Sequence, residues 1–498
     1  MTTRRDALIT LLGTAGAAWP MTGLTVGSGG AELLVAAAQA ASSAGRTVQP
    51  ATLERPSPAK NPPPFVPYGI SRPRAADYIE EEWFASGVDD SGRAYKTQIF
   101  LYRPQDPARF SGTIIVEPLH AQGAPPIFMY TGAYVMRSGH GWACVGSQKM
   151  PLDTHVKPKD PAYYASLNIE AAAAPPGAPT NLQPAPAAGQ PLDPAAMAAR
   201  QAQMERMNQA SNAILAQVGA ALRSGKGPFQ GYKVRHILLT GHSQTGGVVT
   251  NYIQRAHESQ RLAGGASVYD GYFPSGAPRA PFGPRDVPLI QVVSDGDVSD
   301  GNARGPEFSG RKYRRADSDS ANDRYRLYEL AGTGHMGTRY PPHNSPKNWA
   351  DALGGKTDGV IMNSMPHDEQ FSMAMHHLVQ WVDKGVTPPR APRLEVAADG
   401  RYIAKDENGN SRGGIRSAQM DVPRATYFPN PTNPDGTPRG GVVGTEIPFD
   451  AAKMKKLYGT PENYVKRFNS RLDELISQGW FLAADAPDMR AEAARQRF

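Results

Sequence analysis

Apolar positions along the chain fall into two rhythms. Strand-like runs occur at Lys96–Tyr102, Thr113–Glu117, Trp142–Gly146, His236–Thr240, Leu289–Val293 and Tyr325–Leu330. Several are continuous rather than alternating, which suits strands buried on both faces, as in a parallel sheet. Helical spacing fills the gaps. Asn208–Leu222 sets Ile214, Leu215, Val218 and Leu222 along one face, and Gly246–Ala256 follows a strand directly. Phe371–Val382 carries Met373, Met375, Leu378, Trp381 and Val382, and an amphipathic pattern recurs near Glu462–Gln478. Strands and helices in alternation predict an α/β fold with a doubly wound, mostly parallel sheet.

The ends of the chain read differently. Thr3-Arg4-Arg5-Asp6 precedes an apolar run from Ala7 to Trp19, and Ala38-Gln39-Ala40 is a small-x-small site. This resembles a twin-arginine export signal. Gly13, Gly16 and Pro20 weaken any stable helix there, and the run is too short to span a bilayer. No later segment approaches about 18 unbroken apolar residues. The expectation is a signal peptide over 1–40, removed to leave a periplasmic or secreted protein with no stable membrane span. Residues 41–77 read as a leader, Pro-rich from Ala51 to Arg74. The core is expected over 78–390, with an insertion at about 151–207. Within it Ala171–Ala199 is low-complexity Ala/Pro sequence, either a mobile excursion or a cap over a site. Residues 391–498 read as a C-terminal extension packed on the core.

Composition narrows the function. Of 498 residues 40% are apolar and 20% charged, which excludes a wholly disordered chain and leaves ample material for a core. The 51 Gly and 46 Pro lack a collagen period and imply many turns. The net charge of +7 is spread along the chain without a dense basic stripe interleaved with aromatics, so nucleic acid is not an expected partner. The single cysteine, Cys144, excludes an internal disulfide and multi-cysteine metal clusters. A lack of disulfides suits twin-arginine export, in which folding precedes translocation.

The most informative stretch is the strand His236–Thr240 running into Gly241-His242-Ser243-Gln244-Thr245-Gly246-Gly247, with a helix opening at once. This is the strand–turn–helix context of a nucleophile elbow. The sharp turn lifts a serine hydroxyl above the sheet, and the helix N-terminus favours negative charge on a substrate oxygen. The Gln244 amide is the natural first oxyanion donor. The bland alternative is a serine capping a helix. Thr245 stands where GxSxG has its second glycine. A serine needs a base, and the base an orienter. Val287–Asp297 reads as a strand entering an acidic turn, and Tyr325–His335 as a strand, a glycine turn and a histidine. Both turns would lie at the carboxyl ends of parallel strands. Ser243, Asp297 and His335 are therefore the expected triad, with Asp295 and then Asp270 as alternative acids. His367, His376 and His377 lie on or near a helix, where surface or packing roles are expected. The second oxyanion amide is expected after Thr113–Glu117, from Leu119 or His120. Glu117 reads equally as a buried hydrogen-bonded carboxylate or a functional one.

Metal and cofactor signals are absent. Asp295-x-Asp297-x-x-Asp300-Gly301 and Asp406-Glu407-Asn408-Gly409-Asn410 lack the sixth-position glycine and twelfth-position glutamate of an EF-hand, and no HExxH occurs. No cofactor is expected.

Together, the Gly-x-Ser-Gln turn, the acidic turn after Val287-Pro288, Ala331-Gly332-Thr333-Gly334-His335, Asp160–Leu167 and Gly413-Gly414-Ile415-Arg416 resemble the bacterial, often exported α/β-hydrolase domain-containing proteins. The resemblance spans about Tyr78 to Tyr427 and implies an α/β-hydrolase fold with Ser243, Asp297 and His335 at the triad positions. Family members often carry an acidic residue after the first glycine and serine after the glutamine, where this chain has His242 and Thr245. The expected function is a serine hydrolase cleaving a small-molecule carboxylic ester or lactone through an acyl-enzyme. Amide or peptide hydrolysis or acyl transfer on the same triad, and a non-catalytic binding protein on the same scaffold, are the competing readings.

The export reading is testable. Replacing Arg4 and Arg5 together by Lys is expected to leave an uncleaved precursor inside the cell, as judged by fractionation and immunoblotting. Normal export of the double variant would remove the reading.

Overall fold

The computed structural model describes residues 46–67, 77–170, 194–278, 280–298, 310–338, 359–398, 400, 402–438 and 441–498. The Arg4-Arg5 motif, Ala38-Gln39-Ala40 and residues 171–193 of the insertion lie outside them.

Eight strands form the frame: β1 (Tyr78–Val88), β2 (Ala94–Pro104), β3 (Thr113–Pro118), β4 (Gly141–Val145), β5 (His236–His242), β6 (Gly271–Ser275), β7 (Leu289–Ser294) and β8 (Asp323–Leu330). They are ordered β1-β2-β4-β3-β5-β6-β7-β8 in a sheet of eleven strands, to which Thr52–Glu54, Asn168–Ile169 and Ser318–Ser320 add short pieces. From β4 to β8 every pairing is parallel; β1 and β2 are antiparallel. This is the doubly wound, mostly parallel α/β sheet that the alternation predicts. Every residue of β3, β4, β6 and β7 is buried, as continuous runs require.

Two strands depart from the sequence pattern. β1 escapes it because Glu81 and Glu82 are buried within it, stabilised by Arg103 at 3.0 Å and by Gln98 and Tyr164 at 2.7 and 2.8 Å. β6, Gly271–Ser275, has no counterpart among the expected strands, and Asp270 stands just before it.

The longer helices among the described residues are α1 (Pro126–Arg137), α2 (Pro194–Arg223), α3 (Gln244–Asn251), α4 (His367–Lys384), α5 (Ala451–Tyr458), α6 (Pro461–Ser477) and α7 (Ala486–Ala494). α1 packs with α4, and α2 with α3. α2 starts well before Asn208, so the last residues of the Ala/Pro stretch are helical. α6 is capped by Thr460, whose side chain accepts from the Asn463 amide, and buries Tyr464, Phe468, Leu472 and Leu475 on one stripe. That stripe joins Met454, Tyr458 and Met489 in a second core, and Trp480 packs against both cores. No described helix is long and apolar enough to cross a membrane.

The C-terminal residues meet the main sheet at the carboxyl end of β8. The Leu394 amide donates to the buried Glu329 carboxylate at 2.7 Å, and Ile415 pairs with the end of β8. Ala425–Phe428, Thr445–Pro448 and Ile361–Met362 form a small antiparallel sheet beside it.

α1 has no cap of its own: Pro125 at its head makes no side-chain bond. Glu117 at the end of β3 supplies one from a distance, accepting from the Ile127 and Phe128 amides at 2.7 and 3.0 Å. Complete burial raises its pKa to about 8, against the pull of those amides and of Trp142. A folded pKa above the unfolded value means that folding takes up a proton there. This share of stability is full below the ordinary glutamate value of 4.5 and is lost as pH rises through about 8. Glu117→Gln cannot ionise, so its melting temperature should differ less between about pH 5 and about pH 9 than that of the wild type. An equal difference would show that Glu117 does not titrate in this range.

Candidate active site

Ser243 joins β5 to α3 with φ 59° and ψ −121°, the only described non-glycine residue with positive φ. Three contacts hold this conformation. The Ser243 amide donates to Ser275 O at 3.0 Å, tying the turn to the end of β6. Thr245 Oγ1 accepts from the His242 amide at 3.0 Å and donates to His242 O at 2.9 Å. Thr245 thus staples the turn from inside. Gly246 then takes over the close approach of helix to strand, because a Cβ there would strike the Ser275 carbonyl. The shifted glycine of the motif is accounted for by these two residues.

The Ser243 side chain makes no capping bond to α3. Its Oγ lies 2.8 Å from His335 Nε2, and His335 Nδ1 lies 2.5 Å from Asp297 Oδ1. Asp297 sits on a short helical turn, Asp295–Val298, and its other oxygen accepts from the Ser294 amide at 2.8 Å. The structure therefore brings Ser243, His335 and Asp297 into one line. With Asp297 ionised, Nδ1 carries the ring proton and Nε2 is free to accept from the serine.

The alternative acids lie elsewhere. Asp295 is buried and accepts from the Gly332 amide at 3.0 Å, buttressing the histidine loop without reaching a histidine. Asp270 stands before β6, where it accepts from Arg223 at 2.6 Å and the Ile237 amide at 2.7 Å. That is the opposite end of the sheet from Ser243, about 20 Å along a strand of this length. Gly296 separates Asp295 from Asp297, and a Cβ there would come within 2.8 Å of Pro429 O and 3.0 Å of His335 N. Its own amide donates to Thr333 O at 2.9 Å, lacing acid turn to histidine loop. Behind them Asn363 donates to Gly332 O at 2.7 Å and Gly444 O at 3.0 Å, and Met336 donates to Val442 O at 3.0 Å.

The loop after β3 corrects one expectation. The Leu119 amide donates to Val145 O at 2.8 Å, because the β3–β4 ladder runs one residue past Pro118. The His120 amide closes a turn onto Ala124 O at 3.0 Å. Neither is open to a ligand. The Ala121 amide is held instead by a side chain, Gln244 Oε1 at 3.2 Å, whose Nε2 donates to Gln148 at 2.8 Å. The Gln244 amide opens α3 ahead of the helical ladder. Sequence reasoning missed Ala121 and Gln148, which carry no signal without knowledge of where the ladder ends.

Histidines crowd the site. Burial, with the charges of His335 and His155, lowers the pKa of His120 to about 4. His242 is buried against His335, with ring centroids 4.7 Å apart. Of the others, His367 stacks on Phe371, His376 meets Tyr134, and His377 bonds Tyr328 OH at 2.9 Å. All three are packed on α4. Among the described residues no group of three or more His, Cys, Asp or Glu side chains is placed to hold a metal ion.

Comparison with known proteins agrees with this architecture. A family model described as "Alpha/beta hydrolase domain" matches residues 53–491. A search of curated proteins finds no match. Among solved structures, a candidate dienelactone hydrolase from Klebsiella pneumoniae is 12% identical, with TM-score 0.28 over 56% of this chain and 97% of its own. Prolyl oligopeptidase B from Galerina marginata is 10% identical, with TM-score 0.25 over 48% of this chain and 31% of its own. The rice cell wall degrading esterase LipA from Xanthomonas oryzae is 13% identical, with TM-score 0.21 over 40% of this chain and 42% of its own. The match thus spans under half the length of the last two.

The acids separate by experiment. Asp297→Asn should fold normally and lower turnover of an ester substrate by roughly 10³-fold or more, the histidine being left in the wrong tautomer. Asp270→Ala should instead cost stability, about 1–3 kcal/mol in denaturant melts, and leave turnover within about threefold. If Asp270→Ala is the more damaging to turnover, the assignment of Asp297 is wrong.

Proposed function

The chain belongs to the alpha/beta hydrolase domain family, and on that premise we propose that it is a serine hydrolase of carboxylic esters or lactones. The reading rests on one observation: Ser243 Oγ lies 2.8 Å from a histidine nitrogen whose partner nitrogen is 2.5 Å from a carboxylate.

In the proposed reaction Ser243 Oγ attacks the carbonyl carbon while its proton passes to His335 Nε2. Asp297 holds the Nδ1–H tautomer and stabilises the imidazolium. The carbonyl electron pair moves onto oxygen, where the Gln244 amide and the Ala121 amide receive it, the latter after the Gln244 side chain gives way. Collapse breaks the bond to the alcohol oxygen, which takes the proton from Nε2. Water then gives a proton to Nε2 and attacks the acyl-enzyme, and the acid leaves as Ser243 regains its proton. A lactone follows the same steps with both products on one molecule. The proposed site of action is the periplasm or the exterior, on the strength of the Arg4-Arg5 segment.

Ser243→Ala removes one oxygen and should reduce turnover of the best ester in an acyl-length panel by roughly 10³-fold or more. His335→Ala should cost about as much and the double variant little more, because triad members act as a unit. Labelling by a fluorophosphonate probe should vanish in Ser243→Ala. A folded Ser243→Ala that still labels and still turns over the ester would falsify the reading.

A further inference from the structure

His242 stands directly before Ser243, and the reaction above makes no use of it. It is buried, 1% exposed. Around its ring lie His335, Tyr130 of α1, and Phe371 and His367 of α4, at centroid distances of 4.7, 5.6, 5.6 and 6.3 Å. The nearest of these, His335, lies within 30° of parallel to it.

Both ring nitrogens are engaged. Nε2 lies 2.9 Å from the backbone carbonyl oxygen of His335, and Nδ1 lies 3.0 Å from the Ser275 hydroxyl. A carbonyl only accepts, so Nε2 carries the proton. Nδ1 then faces the Ser275 hydroxyl, whose single proton is shared between Nδ1 at 3.0 Å and Gly241 O at 3.1 Å. Burial first, then the neighbouring His335 and His367, hold the His242 pKa well below the ordinary histidine value. The neutral ring therefore persists at neutral pH.

We infer that His242 is a positioning residue for His335, one histidine holding the backbone of another. Asp297 sets the rotation of the His335 ring. His242 sets where the backbone carrying that ring stands, through the bond to its carbonyl, and limits its tilt by lying flat against it. The flat neutral face also suits the moment when His335 is an imidazolium, since a second charge there would oppose it. Because Ser243 is the next residue along the chain, nucleophile and base are measured from the same point on β5.

This inference rests on the serine-hydrolase reading, and its test keeps the two apart. His242→Met removes the donor at similar length; His242→Gln keeps an N–H that reaches the same carbonyl. Both are made in the full chain and assayed with p-nitrophenyl acetate. His242→Met should lower kcat roughly 10- to 100-fold with KM within about twofold, and His242→Gln should regain most of the loss. The far-downfield proton resonance of the His335–Asp297 bond should shift or broaden in His242→Met and return in His242→Gln. A folded His242→Met with wild-type kcat and resonance overturns the inference, while an inactive Ser243→Ala leaves the parent reading intact. If Ser243→Ala stays active, the parent reading falls, and the resonance still decides the role of His242. If His242→Met does not fold, a folded His242→Gln that has lost the resonance overturns the inference, and one that keeps it supports it.

Discussion

A serine at φ 59° and ψ −121° is the constraint around which the working end of the molecule is arranged. An L-residue in that region costs on the order of 1–3 kcal/mol and persists only where its surroundings over-determine it. Here they do so from three sides. The end of β6 takes its amide, Thr245 locks the turn from within, and the bare α-carbon of Gly246 admits the neighbouring strand. The strain is what lifts Oγ out of the helix-capping geometry. A relaxed serine at the head of α3 would satisfy a helix amide and be lost to chemistry.

The electrostatics around that hydroxyl are sparse by design of burial. His120 and His242 both lie close to His335, and both are held neutral because burial opposes a charged ring. The His335 ring therefore stands among uncharged imidazoles, with the Asp297 carboxylate 2.5 Å from its Nδ1. The same crowd of rings on a solvent-exposed face would titrate together and blur the role of each.

How much of this was legible in the sequence depends on the kind of contact involved. The elbow is legible because a leucine strand, small residues and a serine coincide, and the meeting of Asp297 and His335 because each follows a strand into a glycine turn. β1 hid behind Glu81 and Glu82, whose burial is supported by partners from other strands. α1 hid because its cap, Glu117, lies on another element. The Leu119 amide departs from expectation by one rung of a ladder, which no side chain reveals. The backing of the histidine loop by Asn363 and Val442–Gly444 is largely backbone to backbone, so no residue type marks it.

That backing has a consequence in time. Synthesis proceeds from the N-terminus, so the ribosome delivers Ser243, Asp297 and His335 in order, and only later Ile415, Val442 and Gly444, whose backbones close behind the histidine loop. An emerging chain thus holds all three side chains before it owns the wall they lean on. A chain that stopped before Ile415 would carry Ser243, Asp297 and His335 without the Val442 and Gly444 carbonyls that accept from the Met336 and Asn363 amides.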